Sequence, residues 1–497
     1  MPSSKEIEQE LTRIPGIGSS ALARFSKAGI TSIREVLQLD ALSLSRKTGI
    51  SIFKLVHIQA TLDLSESFRL NPNVSDALVK QGILSPQDLF SRSLKDIEDF
   101  LSLGPSRPAR RKDAVTLKKR IQEIKRRKLL VIVSSRNALL DLFGEKGFSK
   151  IDKSLKRLVS TLSSRKIDVI CLYLDTDSVS QFGLKPSKKI NPGGTKKALD
   201  SIDFKLASKE PGKRYFLLLG GHNVIPFYSL KNPAVDSDEE VLSDNPYASS
   251  HPGNEPDEWL VPERSLGRLP CGNEGDVSLL LSELEVMEIS SPIRSKKEAL
   301  GYSAKVWEDA SEEVFSMAKR SGDIFLSPPL NTRTFMSNWL KGSGLNYFNL
   351  HGSKEDKFWF GQDGSEFPRA LSPEIIAAGN VRNSLVVTEA CYGGYEAGKE
   401  SSNSICLQFM HGKAAGLLGS TTVSYGSEGP PLGEADLLSS KFLEQVKAGA
   451  LFGDALARAK AEMASELLLS QGYLDEDDKK TLLQFVLYGN PLGSMIF

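Results

Sequence analysis

The sequence predicts an α/β fold, with doubly wound and mostly parallel sheets in two subdomains, behind a small all-helical domain. Two observations carry this prediction. From residue 129 onward, short runs rich in Val, Ile, Leu and Phe alternate with helical stretches, which is typical of a parallel sheet covered on both faces. Before residue 129, apolar residues recur at helical spacing without a long β-branched run, which indicates helices.

The helical part consists of two similar passes, which we assign to modules at residues 1–64 and 65–128. Each pass contains a helix, a Gly-Ile pair (29–30 and 82–83), a short loop and another helix. The second module ends in a basic run, with 11 Lys and Arg against two acidic residues between positions 101 and 130. The near-neutral total of 63 basic and 62 acidic residues conceals this local bias.

The α/β part begins at Leu129 and is long for a single sheet. Its apolar runs include, in chain order, LLVIVSS, IDVICLYLDT, YFLLLGG, ALGYSA, YFNLHG and SLVVTEACYGG. We therefore expect two subdomains, at residues 129–290 and 291–497. Polar residues or glycines close the strand ends, where open α/β sheets place their functional sites.

Composition limits the class of protein. Apolar residues make up 40% of the chain and charged residues 25%, as in ordinary globular proteins. The four cysteines are scattered and form no CxxC pair, which argues against a disulfide framework, a redox motif or a zinc ribbon. The first residues contain no run like a signal peptide, and no stretch of about 20 apolar residues exists. We expect a cytoplasmic protein without membrane contact, metal site or organic cofactor.

Two strand ends carry reactive side chains. The run LNYFNL ends at His351-Gly352, and the run SLVVTEA ends at Cys391 and is followed by a Gly pair. The carboxyl ends of adjacent parallel strands would bring the imidazole and the thiol together. The pairing matters, because a lone His at a strand end is usually structural and a lone Cys is usually a small buried apolar residue.

These residue types in this arrangement indicate acyl-transfer chemistry. The thiolate is the nucleophilic form of cysteine, and a nearby His can take the thiol proton or stabilise the thiolate. The same His could then protonate the leaving amine. Backbone N–H groups of Gly352 and Cys391 could bind the oxyanion that develops during acyl transfer.

The order of these motifs resembles the caspase, gingipain, separase and legumain clan, in which a strand ending in His-Gly precedes a strand ending in Ala-Cys. The upstream segments KRYFLLLGGHNVIP, LSDNPYA and SLGRLP, and the later FVLYGNPLG, resemble gingipain-like peptidases in particular. The resemblance covers about 129–497. It implies a caspase-like fold and a cysteine endopeptidase that cleaves protein substrates, with Cys391 as nucleophile and His351 as general acid and base.

The resemblance also implies supporting residues. An acidic residue that orients the His is expected after the run ALGYSA, where Glu308 and Asp309 are the nearest candidates. The segment that follows the next strand, from Ser420 to Tyr425, is expected to form one wall of the specificity pocket. Gingipain-like metal sites do not carry over, because Gly221-His222 stands where Gly-Asp is usual.

The N-terminal segment LTRIPGIGSSALARF resembles a helix-hairpin-helix motif. In such motifs, glycines such as Gly16 and Gly18 expose backbone N–H groups at a helix start, where they can contact a phosphate or a partner. The basic run could add affinity for nucleic acid, yet similar hairpins often serve only protein contacts. We therefore favour a regulatory protein partner over nucleic acid, with recruitment or regulation of the peptidase as the role of the module.

One alternative stays open at this stage. The same fold could act as an inactive scaffold, an adaptor that binds nucleic acid or protein partners, because fold does not establish activity.

Overall fold

The computed structural model describes residues 17–30, 36–37, 41–68, 70–84, 88, 117, 119, 121, 127–209, 212–250, 253, 255–289, 292–294, 299–318 and 324–497. The chain divides into two compact units. One comprises residues 1–128 together with 203–213, and the other comprises residues 129–202 and 214–497.

The first unit is helical, as the sequence predicts. Its helices are α1 (Ser19–Lys27), α2 (Ala41–Thr48), α3 (Ile52–Phe68) and α4 (Pro72–Lys80). Helix α3 contributes to two apolar clusters, because Leu55 and Leu62 pack with α1 and α2 while Leu64 and Phe68 pack with α4. The boundary that we assign at residue 64 therefore falls inside a helix, and it stays a prediction.

The two Gly-Ile pairs of the sequence are helix ends. Gly29 follows α1 with φ 74°, and Gly82 follows α4 with φ 83°, a backbone region that favours glycine. The N–H of Ile30 then bonds the carbonyl of Phe25 at 2.9 Å, and that of Ile83 bonds the carbonyl of Leu78 at 3.1 Å. This is the Schellman arrangement, which satisfies terminal carbonyls while burying the apolar residue that follows.

The second unit is built from alternating strands and helices. Its strands are β1 (Lys128–Ser134), β2 (Ile167–Tyr173), β3 (Lys213–Leu219), β4 (Tyr228–Lys231), β5 (Glu240–Ser243), β6 (Ser265–Leu269), β7 (Ile293–Arg294), β8 (Leu300–Ala304), β9 (Ile324–Ser327), β10 (Leu345–Asn349), β11 (Trp359–Phe360), β12 (Arg369–Leu371), β13 (Leu385–Thr388), β14 (Gly416–Ser420), β15 (Phe485–Gly489) and β16 (Met495–Ile496). Its helices are α5 (Arg136–Ser164), α6 (Pro192–Lys209), α7 (Asn245–Ala248), α8 (Val277–Ile289), α9 (Glu308–Ala318), α10 (Pro373–Ala378), α11 (Ile405–His411), α12 (Glu434–Lys447), α13 (Phe452–Ser470) and α14 (Glu476–Gln484). The last part of α6, from residue 203 onward, counts with the first unit.

Ten strands form one sheet in the order β2-β1-β3-β6-β15-β14-β13-β10-β8-β9. Strand β15 pairs in parallel with β6 and antiparallel with β14. The strands of both expected subdomains therefore join in a single sheet, with β15 at the junction. The α/β class and the mostly parallel sheet are confirmed, and the subdomain boundary at residue 290 stays a prediction.

Alternation along β10 and β13 fills a core on each face of the sheet. Tyr347 and Val387 belong to the apolar cluster that includes α9 and α12, whereas Phe348 and Val386 belong to the cluster that includes α11. Successive residues of a strand point to opposite faces, so strands buried on both sides read as continuous apolar runs. The pairing register of β10 and β13 therefore sets the relative positions of the segments that follow these two strands.

Candidate active site

His351 and Cys391 lie side by side at the carboxyl end of the sheet. Strands β10 and β13 run parallel, with Phe348 opposite Thr388, and His351 and Cys391 each come three residues further on. A Cβ atom added to Gly352 would lie 1.9 Å from the carbonyl oxygen of Cys391. The two segments thus approach so closely that only glycine fits at position 352.

The imidazole of His351 is held by a hairpin formed by β11 and β12. His351 exchanges two backbone hydrogen bonds with Phe360, of 2.9 and 2.8 Å. Its Nε2 bonds Oε1 of Gln362 at 2.7 Å. The rings of Trp307 and Phe367 lie beside it, with centroids 4.3 and 5.4 Å away. Burial lowers the pKa of His351, and the hydrogen bond to Gln362 opposes that shift.

The thiol of Cys391 lies in a mostly buried position. Its Sγ accepts a hydrogen bond from the N–H of Ser424 at 3.3 Å and lies 3.5 Å from the carbonyl oxygen of the same residue. Burial raises the pKa of Cys391 above its ordinary value, against smaller opposing effects of the Ser424 N–H and the charge of Lys480. Both shifts favour the neutral forms of the two groups, the protonated thiol and the uncharged imidazole.

Backbone at this point is strained. Tyr392, directly after the thiol, has φ 54°, which non-glycine residues adopt rarely outside functional sites. Its N–H donates to the carbonyl of Thr422 at 2.9 Å. Among the residues that the structure describes, no backbone carbonyl accepts from the N–H of Gly352 or Cys391.

A small cleft, with a cavity volume of about 30 Å³, opens beside the thiol. It is lined by Trp307, Asn349, Leu350, Glu389, Cys391, Ser424, Tyr425, Gly426, Ser427, Ala435 and Asp436. Asn349 and Glu389 come two residues before His351 and Cys391, so the period of two along a strand places them on the same face as the reactive pair. The sheet register thus sets both the pair and the floor of the cleft.

Two buried carboxyl groups form that floor. Asp436 is 1% exposed and Glu389 is 6% exposed. The hydroxyl of Tyr347 donates to Oε2 of Glu389 at 2.9 Å, while Oε1 of Glu389 has no hydrogen-bond partner among the described residues. Asp436 accepts from the N–H of Ser427 at 2.6 Å and from Nδ2 of Asn349 at 3.3 Å.

The two carboxyl groups shift each other's ionisation. Burial raises the pKa of Asp436 to about 6. Burial and the neighbouring Asp436 raise the pKa of Glu389 well above its ordinary range. Two close carboxyl groups in a site of low dielectric constant hold one proton between them, so near neutral pH the floor carries about one negative charge.

Comparison with protein families settles the class. Residues 119–495 match the model of peptidase family C25, and residues 8–54 match that of the SAM-like helix-hairpin-helix tandem. The chain belongs to peptidase family C25. It is a cysteine endopeptidase, and the expected gingipain-like and helix-hairpin-helix resemblances are confirmed.

The fold of gingipain R agrees with this assignment. The Arg-specific cysteine proteinase gingipain R (RgpB) is similar with a TM-score of 0.51 and 13% identity, over 75% of this chain and 78% of that chain. The complex of Porphyromonas gingivalis RgpB pro- and mature domains is similar with a TM-score of 0.49 and 13% identity, over 73% of this chain and 79% of that chain. The Saccharomyces cerevisiae separase–securin complex has a TM-score of 0.35 and 12% identity, over 96% of this chain and 35% of that chain. No curated protein matches.

The two residues expected in the pocket wall of the C25 peptidase, Ser420 and Tyr425, occupy different positions. Tyr425 lines the cleft, and its hydroxyl donates to Asp236 at 2.6 Å. Ser420 is fully buried at the end of β14, where its hydroxyl donates to the carbonyl of Ala390 at 3.0 Å. Ser420 is therefore absent from the cleft lining and supports the backbone next to the thiol.

The expected orienting acids lie close by in sequence but are not the hydrogen-bond partner of the imidazole. Glu308 and Asp309 begin α9, and the residue just before them, Trp307, supplies the ring beside His351. The partner of Nε2 is Gln362. Sequence reasoning missed Gln362 because nothing in the hairpin sequence marks it. Glu389 did carry a signal, since it is an acidic residue at the end of an apolar strand.

A loop between β4 and β5, which form a separate two-stranded sheet, braces the site. The Nζ of Lys480, whose side chain is 0% exposed, is paired with both Asp236 and Asp238. Asp238 also accepts from the N–H of Val423 at 2.8 Å and from the hydroxyl of Tyr392. These bonds tie the segments that follow Cys391 and β14 to one buried cation.

The remaining candidate positions lie in the helical unit. Gly16 is outside the described residues, and Gly18 precedes α1, where its carbonyl accepts from the N–H of Ala21 at 2.9 Å. Across the described ranges, no group of three or more His, Cys, Asp or Glu side chains could hold a metal ion. In the same part of the chain, no helix is both long and apolar enough to cross a bilayer.

Proposed function

We propose that Cys391 and His351 form the catalytic dyad of this endopeptidase. The observation that carries the proposal is the register of β10 and β13, which puts both residues three positions beyond the paired Phe348 and Thr388. The close approach of Gly352 to the Cys391 carbonyl supports it, because this backbone contact holds the two segments together.

The chemistry follows from the neutral resting pair. His351 takes the thiol proton as Sγ attacks the carbonyl carbon of the scissile peptide, so the thiolate exists mainly while it reacts. The backbone N–H groups of Gly352 and Cys391 stabilise the oxyanion of the tetrahedral intermediate. His351 then gives its proton to the leaving amine. Water, deprotonated by the same imidazole, hydrolyses the acyl-enzyme and restores the thiol.

The acidic floor of the cleft favours a basic side chain on the residue before the scissile bond. A guanidinium or ammonium group would meet the two carboxyl groups of Glu389 and Asp436, which line the cleft. Its charge would release the shared proton and ionise both carboxyl groups, since an adjacent cation lowers a carboxyl pKa. An acidic substrate side chain would add a negative charge to a buried negative site, which is costly.

The helix-hairpin-helix tandem would recruit or regulate the peptidase through a protein partner. The match of residues 8–54 to the tandem supports this role. Salt-dependent binding of random duplex DNA by the full-length protein would instead favour a nucleic-acid partner, because counterion release makes such binding fall steeply with salt.

Covalent labelling tests the dyad and the pocket together. Full-length protein would be treated with peptidyl acyloxymethyl ketones bearing Arg, Lys, Asp or Asn at the reactive end, and modification read by intact mass and peptide mapping. We expect Arg and Lys probes to label Cys391, and Cys391→Ala or His351→Ala to abolish labelling. Cys171→Ser is the matched control, because that thiol is also partly exposed. Labelling that survives in Cys391→Ala, or that occurs with the Asp probe alone, would contradict the proposal.

A further inference from the structure

We infer that Gln362 is a positioning residue that fixes His351 as the tautomer protonated on Nε2, which leaves Nδ1 as the base for the Cys391 thiol. The inference rests on the proposed dyad and adds to it the group that selects the active nitrogen. It assigns to the carboxamide of Gln362 the orienting role that the resemblance to gingipains gave to an acidic residue after the run ALGYSA.

The orientation of the Gln362 amide is fixed by its second hydrogen bond. Nε2 of Gln362 donates to the carbonyl of Gly364 at 3.0 Å, so Oε1 is the atom that faces His351 at 2.7 Å. A flipped amide would set Oε1 against the Gly364 carbonyl, with two acceptors facing each other. A carbonyl oxygen only accepts hydrogen bonds. Nε2 of His351 must therefore carry the hydrogen, and a neutral imidazole then has its lone pair on Nδ1.

The backbone of Gln362 is held by two hydrogen bonds. Its N–H donates to the carbonyl of Ser327 at 3.0 Å, and its carbonyl accepts from the N–H of Val306 at 3.2 Å. A Cβ added to the preceding Gly361 would lie 2.2 Å from the Ser327 carbonyl oxygen, so the hairpin sits directly on β9. Because Phe360 pairs with His351, Gln362 two residues on points to the same face as the imidazole.

The surroundings make this hydrogen bond the dominant polar influence on the imidazole. The charged groups on the neighbouring elements are Lys305, Glu308, Asp309, Lys354, Glu355, Asp356, Lys357, Asp363, Glu366 and Arg369. Lys305 and Asp363 pair with each other at 2.7 Å. Only burial and Gln362 shift the pKa of His351. The rings of Trp307 and Phe367 limit the access of water that would compete for the nitrogen.

A neutral partner has a chemical consequence. A carboxylate at this place would stabilise the imidazolium and with it a resting thiolate–imidazolium ion pair. The carboxamide orients the ring without stabilising its charge. The thiol and imidazole therefore stay neutral at rest, and proton transfer accompanies attack on the bound substrate.

The direct test uses the tautomer and the pH profile of alkylation. Nitrogen NMR of full-length protein labelled at its five histidines reports which ring nitrogen of His351 carries the proton, with His351→Gln for assignment. We expect Nε2–H in the wild type. Gln362→Glu should extend iodoacetamide alkylation of Cys391 to lower pH and raise its rate at pH 6 by about tenfold or more, since a nearby opposite charge shifts a pKa by about one to three units.

Two further variants complete the design. Gln362→Met removes the acceptor at similar volume, and we expect mixed tautomers and a kcat lower by about 10- to 100-fold at unchanged KM, the range for loss of a partner that orients a functional imidazole. Asp363→Asn, on the same hairpin, is the matched control and should leave the alkylation profile unchanged.

The outcomes separate this inference from the dyad. A wild-type spectrum with the proton on Nδ1, or a Gln362→Glu profile that coincides with the wild type, overturns the role of Gln362. If His351→Ala leaves the alkylation profile unchanged, the dyad itself fails. The tautomer measurement needs only His351→Gln for assignment and no substitution in the hairpin, so the inference stays testable even if the hairpin tolerates none.

Discussion

Replacing Asp436 by Asn should weaken the selection of basic substrates in a defined way. Asp436 is 1% exposed on the floor of the cleft beside Cys391. The amide keeps the volume of the carboxyl group but removes its charge and one acceptor oxygen. A hydrogen bond to a charged group contributes about 1.5–3 kcal/mol, and 1.4 kcal/mol corresponds to about tenfold. We therefore expect kcat/KM for an Arg substrate to fall by about 10- to 150-fold.

The pH dependence gives the same prediction a second signature. The pKa of Asp436 is raised to about 6, so this carboxyl is protonated below that pH and ionised above it. A cationic side chain binds the ionised form. The ratio of kcat/KM for an Arg substrate to that for an otherwise identical norleucine substrate should therefore rise in the wild-type enzyme as pH increases through about 6, and the Asn variant should lose this rise. The ratio is the relevant quantity because titration of His351 affects both substrates alike.

The assay compares fluorogenic peptides that differ only in the residue before the scissile bond, Arg against norleucine, between pH 5 and 8. The matched control is Glu434→Gln, because burial and nearby acids raise the pKa of Glu434 to about 7 although it does not line the cleft. An unchanged Arg-to-norleucine ratio in Asp436→Asn, or an equal loss in Glu434→Gln, would refute the assignment of the floor.

Three further changes test the packing around the site and the helical unit. Gly352→Ala should abolish labelling of Cys391, because the added methyl would lie 1.9 Å from the Cys391 carbonyl oxygen; labelling at the wild-type rate would contradict this. Lys480→Met should lower the free energy of unfolding in urea by about 3–5 kcal/mol, since it leaves two aspartates without their buried cation. Lys479→Met is the control, because Lys479 forms a partly exposed pair with Asp257 and its loss should change the same free energy by less than about 1 kcal/mol. Gly82→Ala should destabilise the helical unit by about 1 kcal/mol, seen as faster amide exchange in α4, because φ is 83° there.

The sequence is informative where structure is local. Apolar runs that alternate with helical stretches predict the parallel sheet, because such strands are buried on both faces. His351 and Cys391 could be chosen because each closes such a run. The Gly-Ile pairs were visible, although their role as helix ends needed the backbone conformation.

The rest of the site depends on contacts between distant parts of the chain. Gln362 reaches His351 only because a hairpin folds back onto β9, and Asp436 arrives from a helix 45 residues beyond the thiol. The joining of both groups of strands into one sheet depends on β15, whose pairing with β6 spans more than 200 residues. No periodicity or spacing in one sequence encodes such partners, since these contacts depend on the packing of the whole unit.

The position of β15 has a consequence for how the enzyme comes into being. This strand lies between β6 and β14, yet the ribosome makes residues 485–489 after every other strand of the ten-stranded sheet. Until they emerge, the growing chain has two separate groups of strands, and Lys480 has only just become available to the aspartates that brace the site. The segments carrying His351 and Cys391 are synthesised long before this support exists. A nascent chain of this peptidase thus passes most of its synthesis without an assembled active site.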